Sequence, residues 1–191
     1  KFPILVSRNV FILEFSGKVE IKGPISTGMI QIGYGSVGIF DMKRQRSIWE
    51  VFGKVVFNGK THLGHGTKIS VGKNGSLEFG KDFTLTAESA IISQKQIKFG
   101  DSCFVSWDCL IMDTDFHNIY DEYNVKINPP KQILIGNNVW IGCRNLILKG
   151  SKISDNSIIG ASSVLNKDIS GKSGLFVGNP IKLHKENIKW S

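Results

Sequence analysis

Cysteine is scarce in this chain: three residues in 191, Cys103, Cys109 and Cys143. An odd number of thiols argues against a secreted disulfide scaffold and fits a reducing compartment, so a cytoplasmic location is expected. Proline is also sparse, with five residues, and no Ser/Gly-rich or collagen-like tract is present. Neither a disordered linker nor a second domain is therefore expected, and residues 1–191 read as a single domain. No apolar run approaches the roughly 20 residues of a membrane span. The opening Lys1-Phe2-Pro3-Ile4-Leu5-Val6 lacks the apolar core of a secretory signal. Histidine is limited to four residues. His62 and His65 form a His-x-x-His pair without a third ligand at recognisable spacing, so no metal is expected.

What is abundant is glycine, 21 residues, against an average share of about 7 %. Such a chain can turn every few residues. Apolar residues make up 41 %, enough for a continuous core. The net charge of +8 is spread along the sequence. A solvated, lysine-rich surface accounts for it, and so would attraction of a polyanionic ligand such as a phosphorylated cofactor or an acidic glycan. No nucleic-acid motif accompanies the charge, so no nucleic-acid partner is expected.

Within this composition runs a six-residue ladder: Ile135, Ile141, Ile147, Ile153, Ile159 and Leu165. Neither a 3.6-residue helix nor a period-2 strand produces it. A fixed hexapeptide period points to a parallel β-helix. Gly136, Gly142 and Gly160 follow the apolar position, while Asn145, Ser151, Ser157 and Ser163 stand two residues before it. Three hexapeptides make one triangular coil, which predicts Ile135 stacked on Ile153, Ile141 on Ile159 and Ile147 on Leu165. Phe99, Val105 and Ile111 form an earlier set, as do Phe79, Leu85 and Ile91, and Phe57, Leu63 and Ile69.

The interruptions divide the chain. Two extra residues stand between Ile91 and Phe99. The phrase "apolar, any, apolar, Gly" recurs, as in Ile97-Lys98-Phe99-Gly100 and Ile133-Leu134-Ile135-Gly136, and is expected to open new coils. Residues 1–56 are less regular and are expected to form an N-terminal cap of incomplete coils. Residues 57–180 are expected to be the solenoid, with a polar, aromatic loop at 115–132 thrown out from it. Residues 181–190 read as a short, lysine-rich amphipathic helix.

Loops on a rigid scaffold tend to carry chemistry, and this one holds His117. A histidine can accept a proton near neutral pH. The nearby carboxylates Asp113, Asp115, Asp121 and Glu122 could orient its imidazole or raise its basicity.

The chain resembles the hexapeptide-repeat acyltransferases of the left-handed β-helix class, nearest to the galactoside, maltose and xenobiotic acetyltransferases and the sugar O-acetyltransferases of polysaccharide biosynthesis. The resemblance is carried by Asp113 to His117, by Ile133 to Gly142, and by Ile158 to Asp168 running on to Gly178-Asn179-Pro180. It covers about residues 57–185. It implies an all-β, left-handed parallel β-helix, the hand running against the usual rule for parallel crossovers. It implies acetyl-CoA as co-substrate, with His117 as general base in direct transfer to a sugar hydroxyl. The catalytic set it suggests is His117, Glu122 as an orienting carboxylate and the backbone N–H of Cys143 facing the acetyl carbonyl. Trp140, Gly142, Gly160, Ala161, Lys167, Pro180 and Lys182 are implied at the cofactor, with the lysines toward its phosphates. Acceptor contacts are implied at Ser106, Asp108, Asp113 and Asp115, Asp108 standing where some relatives carry an acceptor-contacting Asn. Relatives are homotrimers with sites at subunit interfaces, so a homotrimer is expected, with Trp107 and the loop as contacts. An N-acyltransferase on an amino-sugar nucleotide would use the same parts. A non-catalytic β-solenoid binding module is the third reading. The γ-class carbonic anhydrases share the fold, but their three zinc histidines have no counterpart spacing here.

Overall fold

The structure, a computed structural model, describes residues 1–190. Its strands build three parallel sheets of nine, seven and six strands, the three faces of a triangular prism. As far as Val164–Leu165, successive strands visit the first, second and third face in turn, so each pairs with those one coil away. The fold is a left-handed parallel β-helix.

The predicted stacking is observed. Ile135 pairs with Ile153, Ile141 with Ile159 and Ile147 with Leu165, each also receiving a partner from the coil before: Phe99, Val105 and Ile111. These side chains point inward and are buried. Earlier coils continue the column, with Phe57, Phe79 and Phe99 stacked at centroid distances of 5.4 and 5.8 Å. Burying one such apolar side chain contributes about 1.5–3 kcal/mol, and the columns form one continuous core.

The small polar residues of the repeat have a definite task at the corner between the first and second faces. There Gly66, Glu88, Asp108, Arg144 and Ser162 all take left-handed backbone conformations, φ +48° to +70°. The next residue turns inward and satisfies the bent backbone. Thr67 Oγ1 donates to Gly64 O at 2.9 Å, Asn145 Nδ2 to Gly142 O at 2.8 Å and Ser163 Oγ to Gly160 O at 2.9 Å. Buried polar atoms are thus paired where the chain bends.

The two-residue insertion before Phe99 has a similar account. It enlarges the corner at Ser93–Gln96, and the fully buried Asp113 of the next coil accepts from Gln94 N (2.7 Å), Lys95 N (2.9 Å), Gln96 N (2.7 Å) and Ser93 Oγ (3.0 Å). The "apolar, any, apolar, Gly" phrase belongs to the third face in three of its occurrences, at Leu77, Ile97 and Ile133, and to the other faces at Ile30 and Ile69. It marks an edge of the prism rather than the opening of a coil.

Both ends differ from expectation. Residues 1–56 contribute strands to all three faces, beginning Ile4–Val6, Val10–Glu14 and Lys18–Ile21, and make two coils with an excursion between Tyr34 and Ser47. Their hexapeptide phase is obscured because apolar side chains are also exposed: Phe11, Leu13 and Phe15. The helix expected at 181–190 is absent. Lys182–Lys185 is instead a strand pairing antiparallel with Leu175–Val177. The alternation of buried Ile181, exposed Lys182, half-buried Leu183 and exposed His184 is period-2, and the strand covers the last edge of the first face. Among the described residues no helix is long and apolar enough to cross a membrane.

Candidate active site

At the corner between the first and second faces lies a groove of about 390 Å³, bordered by Ser106, Trp107, Trp140, Gly142, Cys143 and Ala161 among others. Successive coils bring these residues together although they are up to three coil segments apart in sequence. Trp140 is partly exposed, and its Nε1 donates to the buried Ser106 Oγ at 3.1 Å. Along the corner, Ser106 N, Gly142 N and Gly160 N donate to carbonyls of the neighbouring coil. The N–H groups of Trp107, Cys143 and Ala161 donate to no protein oxygen among the described residues. They form a row of free donors beside an apolar wall, suited to carbonyl oxygens of an extended ligand. A Cβ at Gly142 would come within 2.9 Å of Ala161 N, so the row is open only with glycine there.

Asp108 and Arg144, at the same corner, form an exposed ion pair with Nε–Oδ2 3.3 Å. Lys167, Pro180 and Lys182 are exposed and do not line the groove. The chain at Gly178 is tied to the same corner, its N–H donating to Ser163 Oγ at 2.9 Å.

The loop carrying His117 leaves from a different corner, between the second-face strand Leu110–Met112 and the third-face strand Ile133–Ile135. It folds on itself through Asp121 N to Val125 O (3.0 Å) and Ile127 N to Ile119 O (2.9 Å). His117 is exposed, and its imidazole has no hydrogen bond among the described residues. Its backbone is fixed: the N–H donates to Asp115 O at 2.7 Å, and the C=O accepts from Asn128 Nδ2 at 2.9 Å. Asn128 is buried, receives the Ile119 N–H at 2.7 Å and reaches Asp115 Oδ2 at 2.8 Å. Lys149 completes the stem by pairing with the Asp115 carboxylate.

The carboxylates expected around His117 serve other partners. Asp113 is sealed in the corner described above, with its oxygens taken by four donors, so it is corrected from an acceptor contact to a structural bracket. Asp115 is occupied by Lys149 and Asn128. Asp121 Oδ1 caps the turn at Tyr123 N and Val125 N, 2.9 Å each. Glu122 is exposed at the turn and makes no ion pair or hydrogen bond among the described residues. Sequence reasoning missed Asn128 and Lys149, whose only signal is their place beside Pro129 and on the ladder coil. It also missed Trp190, whose Nε1 donates to Asn138 O at 3.0 Å and whose ring lies 6.2 Å from that of Trp140.

Lys149, and after it Asn128, hold the Asp115 carboxyl below its ordinary range. A carboxyl lowered by folding contributes order above its unfolded pKa, which is lost as pH falls through the lowered value. Protection of the Ile119 amide from hydrogen exchange should therefore survive below about pH 4, the usual carboxylate range. In Lys149→Met its loss should move up into that range. Identical acid profiles in the two proteins would contradict this account of the stem.

Comparison with known proteins supplies an independent line. The model of the bacterial transferase hexapeptide (six repeats) matches residues 133–167. The chain is 31 % identical over 121 residues to the polysialic acid O-acetyltransferase of Escherichia coli O1:K1, covering 62 % of this chain and 39 % of that protein. It is 33 % identical over 132 residues to the galactoside O-acetyltransferase of Escherichia coli K12, covering 66 % and 61 %. It thus spans less than two thirds of the length of either relative. Among solved structures, galactoside acetyltransferase in complex with coenzyme A superposes with a TM-score of 0.56 at 26 % identity, over 69 % of this chain and 64 % of that one.

Proposed function

We propose that this chain, which belongs to the hexapeptide-repeat acyltransferases of the left-handed β-helix class, transfers an acetyl group from acetyl-CoA to a sugar hydroxyl in the making of a surface polysaccharide. The observation that carries this reading is the row of free N–H donors at Trp107, Cys143 and Ala161 beside Trp140. A pantetheine arm offers amide carbonyls at intervals, and the small residues Gly142, Gly160 and Ala161 leave room for it. Lys167 and Lys182, exposed and without ion pairs among the described residues, would meet the phosphates, with Pro180 near the adenine.

In this mechanism His117 removes the proton of the acceptor hydroxyl as its oxygen bonds to the thioester carbonyl carbon. The Cys143 N–H stabilises the negative charge growing on the carbonyl oxygen. The C–S bond then breaks, and the imidazolium returns its proton to the departing thiolate. The Cys143 thiol takes no part. Asp108 and Ser106 would hold acceptor hydroxyls, since a carboxylate accepts and a serine hydroxyl can donate.

His117 and the groove lie at different corners of one chain, so a complete site needs a second copy. We place the site between subunits of a homotrimer, with Trp107 and the exposed loop residues Phe116, Tyr123 and Ile127 as contacts. Gly142→Val is expected to weaken acetyl-CoA binding at least about tenfold by calorimetry, because its side chain would cover the Ala161 N–H. At acetyl-CoA concentrations too low to saturate Gly142→Val, mixing it with His117→Ala and reassembling them should raise transfer above that of either variant alone, since one interface then carries both intact halves. Failure to restore activity would place the whole site in one subunit.

The test of the function itself is CoA release, corrected for hydrolysis, against a panel of hydroxyl and amine acceptors. Transfer to hydroxyls is expected. Transfer confined to amines would make this an N-acyltransferase, and absent acetyl-CoA binding would make it a non-catalytic solenoid.

A further inference from the structure

The outer side of the first face carries an uninterrupted row leading away from Trp140. Strand register sets Trp140 beside Phe104, Phe104 beside Thr84, Thr84 beside His62 and His62 beside Gln31. All five are at least partly exposed. At one end the row enters a cleft of about 400 Å³ between Phe104, Trp107, Trp140 and Trp190, which also shares Ser106 with the groove. At the other it enters a cleft of about 430 Å³ bordered by Thr27, Gln31, Lys60, His62 and Asp82 among others. That second cleft has no part in the transfer reaction described above.

We propose that this row binds the acceptor as an extended oligosaccharide, lying along the solenoid axis with one sugar over each coil. The proposal rests on the sugar-acceptor reading and adds that the acceptor is a chain rather than a single sugar. Three observations carry it. Neighbouring strands lie about 4.8 Å apart, close to the length of one pyranose unit in an extended glycan, so the rungs and the sugars keep step. Aromatic surfaces gather at the reacting end, where Trp190 stands 6.3 Å from Phe104 and 6.2 Å from Trp140 and can pack against the apolar faces of sugar rings. Farther out the rungs are hydroxyl, imidazole and amide, each able to donate and accept, as sugar hydroxyls require. Burial lowers the His62 pKa, which favours the neutral ring with one donor and one acceptor nitrogen. Lys60 and Asp82 give the far cleft mixed charge, which suits a glycan better than the uniform phosphates of a nucleic acid.

The experiment compares kcat/KM for acceptors of one repeat unit and of increasing length. In the wild type it should rise at least about tenfold and level off once the chain reaches from Trp140 to Gln31. His62→Ala and Gln31→Ala, both on the outer surface, should remove this gain while leaving single-unit transfer within about twofold. His62→Gln, which keeps a donor and an acceptor, should retain most of it, and melting temperatures report folding. Equal kcat/KM at every length in the wild type would overturn the proposal while leaving the sugar O-acetyltransferase reading intact. So would variants that lose short- and long-chain transfer in the same proportion. Absence of transfer to any sugar, whatever its length, would overturn both.

Discussion

His117→Ala should reduce kcat for acetyl transfer by about 10²–10⁴-fold, the usual span for a lost general base. Thermal stability and acetyl-CoA affinity should stay near wild type. The expectation is specific because the hydrogen bonds of His117 among the described residues are made by its backbone: the N–H to Asp115 O and the C=O from Asn128 Nδ2. Alanine keeps both bonds, and the imidazole it removes has no partner among the described residues. Activity lost along with the melting temperature would show a structural role instead. A variant with near-normal kcat would remove His117 from the chemistry, and the base would have to be sought elsewhere around the groove.

Asp113→Ala should have the largest effect on folding, a loss on the order of 3 kcal/mol. Its carboxylate is the common acceptor for three backbone N–H groups and the Ser93 hydroxyl. Alanine leaves these donors facing a methyl group, and water can reach only the more open part of the corner at Lys95. Asp113→Asn, which keeps one acceptor oxygen, should fall between the two. Urea denaturation measures the change, and a loss below about 1 kcal/mol would mean that the corner finds other acceptors. In the surviving folded fraction KM for the acceptor should not move, whereas a role at the acceptor would raise it.

These two residues also mark what the sequence could and could not disclose. The ladder from Ile135 to Leu165 was legible because each rung repeats one demand, a large apolar side chain in a narrow prism, at a period no other element shares. The same demand holds at Ile32 and Trp49, which pair with Leu63 and Ile69 of the next coil, but exposed Phe11, Ile12 and Leu13 hide it in the first coils. Ile181 and Leu183 are spaced by two, a signal too short to outweigh the lysines that suggested a helix. Around His117 the acidic residues were visible but their partners were not. Asp113 differs from Asp115 only in pointing into a corner made twenty residues earlier in the chain, at Ser93–Gln96. Such pairings depend on which coils are adjacent, and hexapeptide spacing does not report the side chains that bridge them. Trp190 was missed for the same reason, since its contacts at Asn138 and Trp140 lie far back in sequence.

The stem of the long loop closes on itself: Lys131 N donates to Asp113 O at 3.1 Å, and the register of Ile111 on Ile147 continues as though nothing had been inserted. The eighteen positions from Asp115 to Gln132 are therefore a cassette. Because loop closure grows only logarithmically more costly with length, this cassette can be lengthened, shortened or exchanged without disturbing the coils beneath it. The loop can thus vary in length and shape while the register of the coils beneath it stays the same.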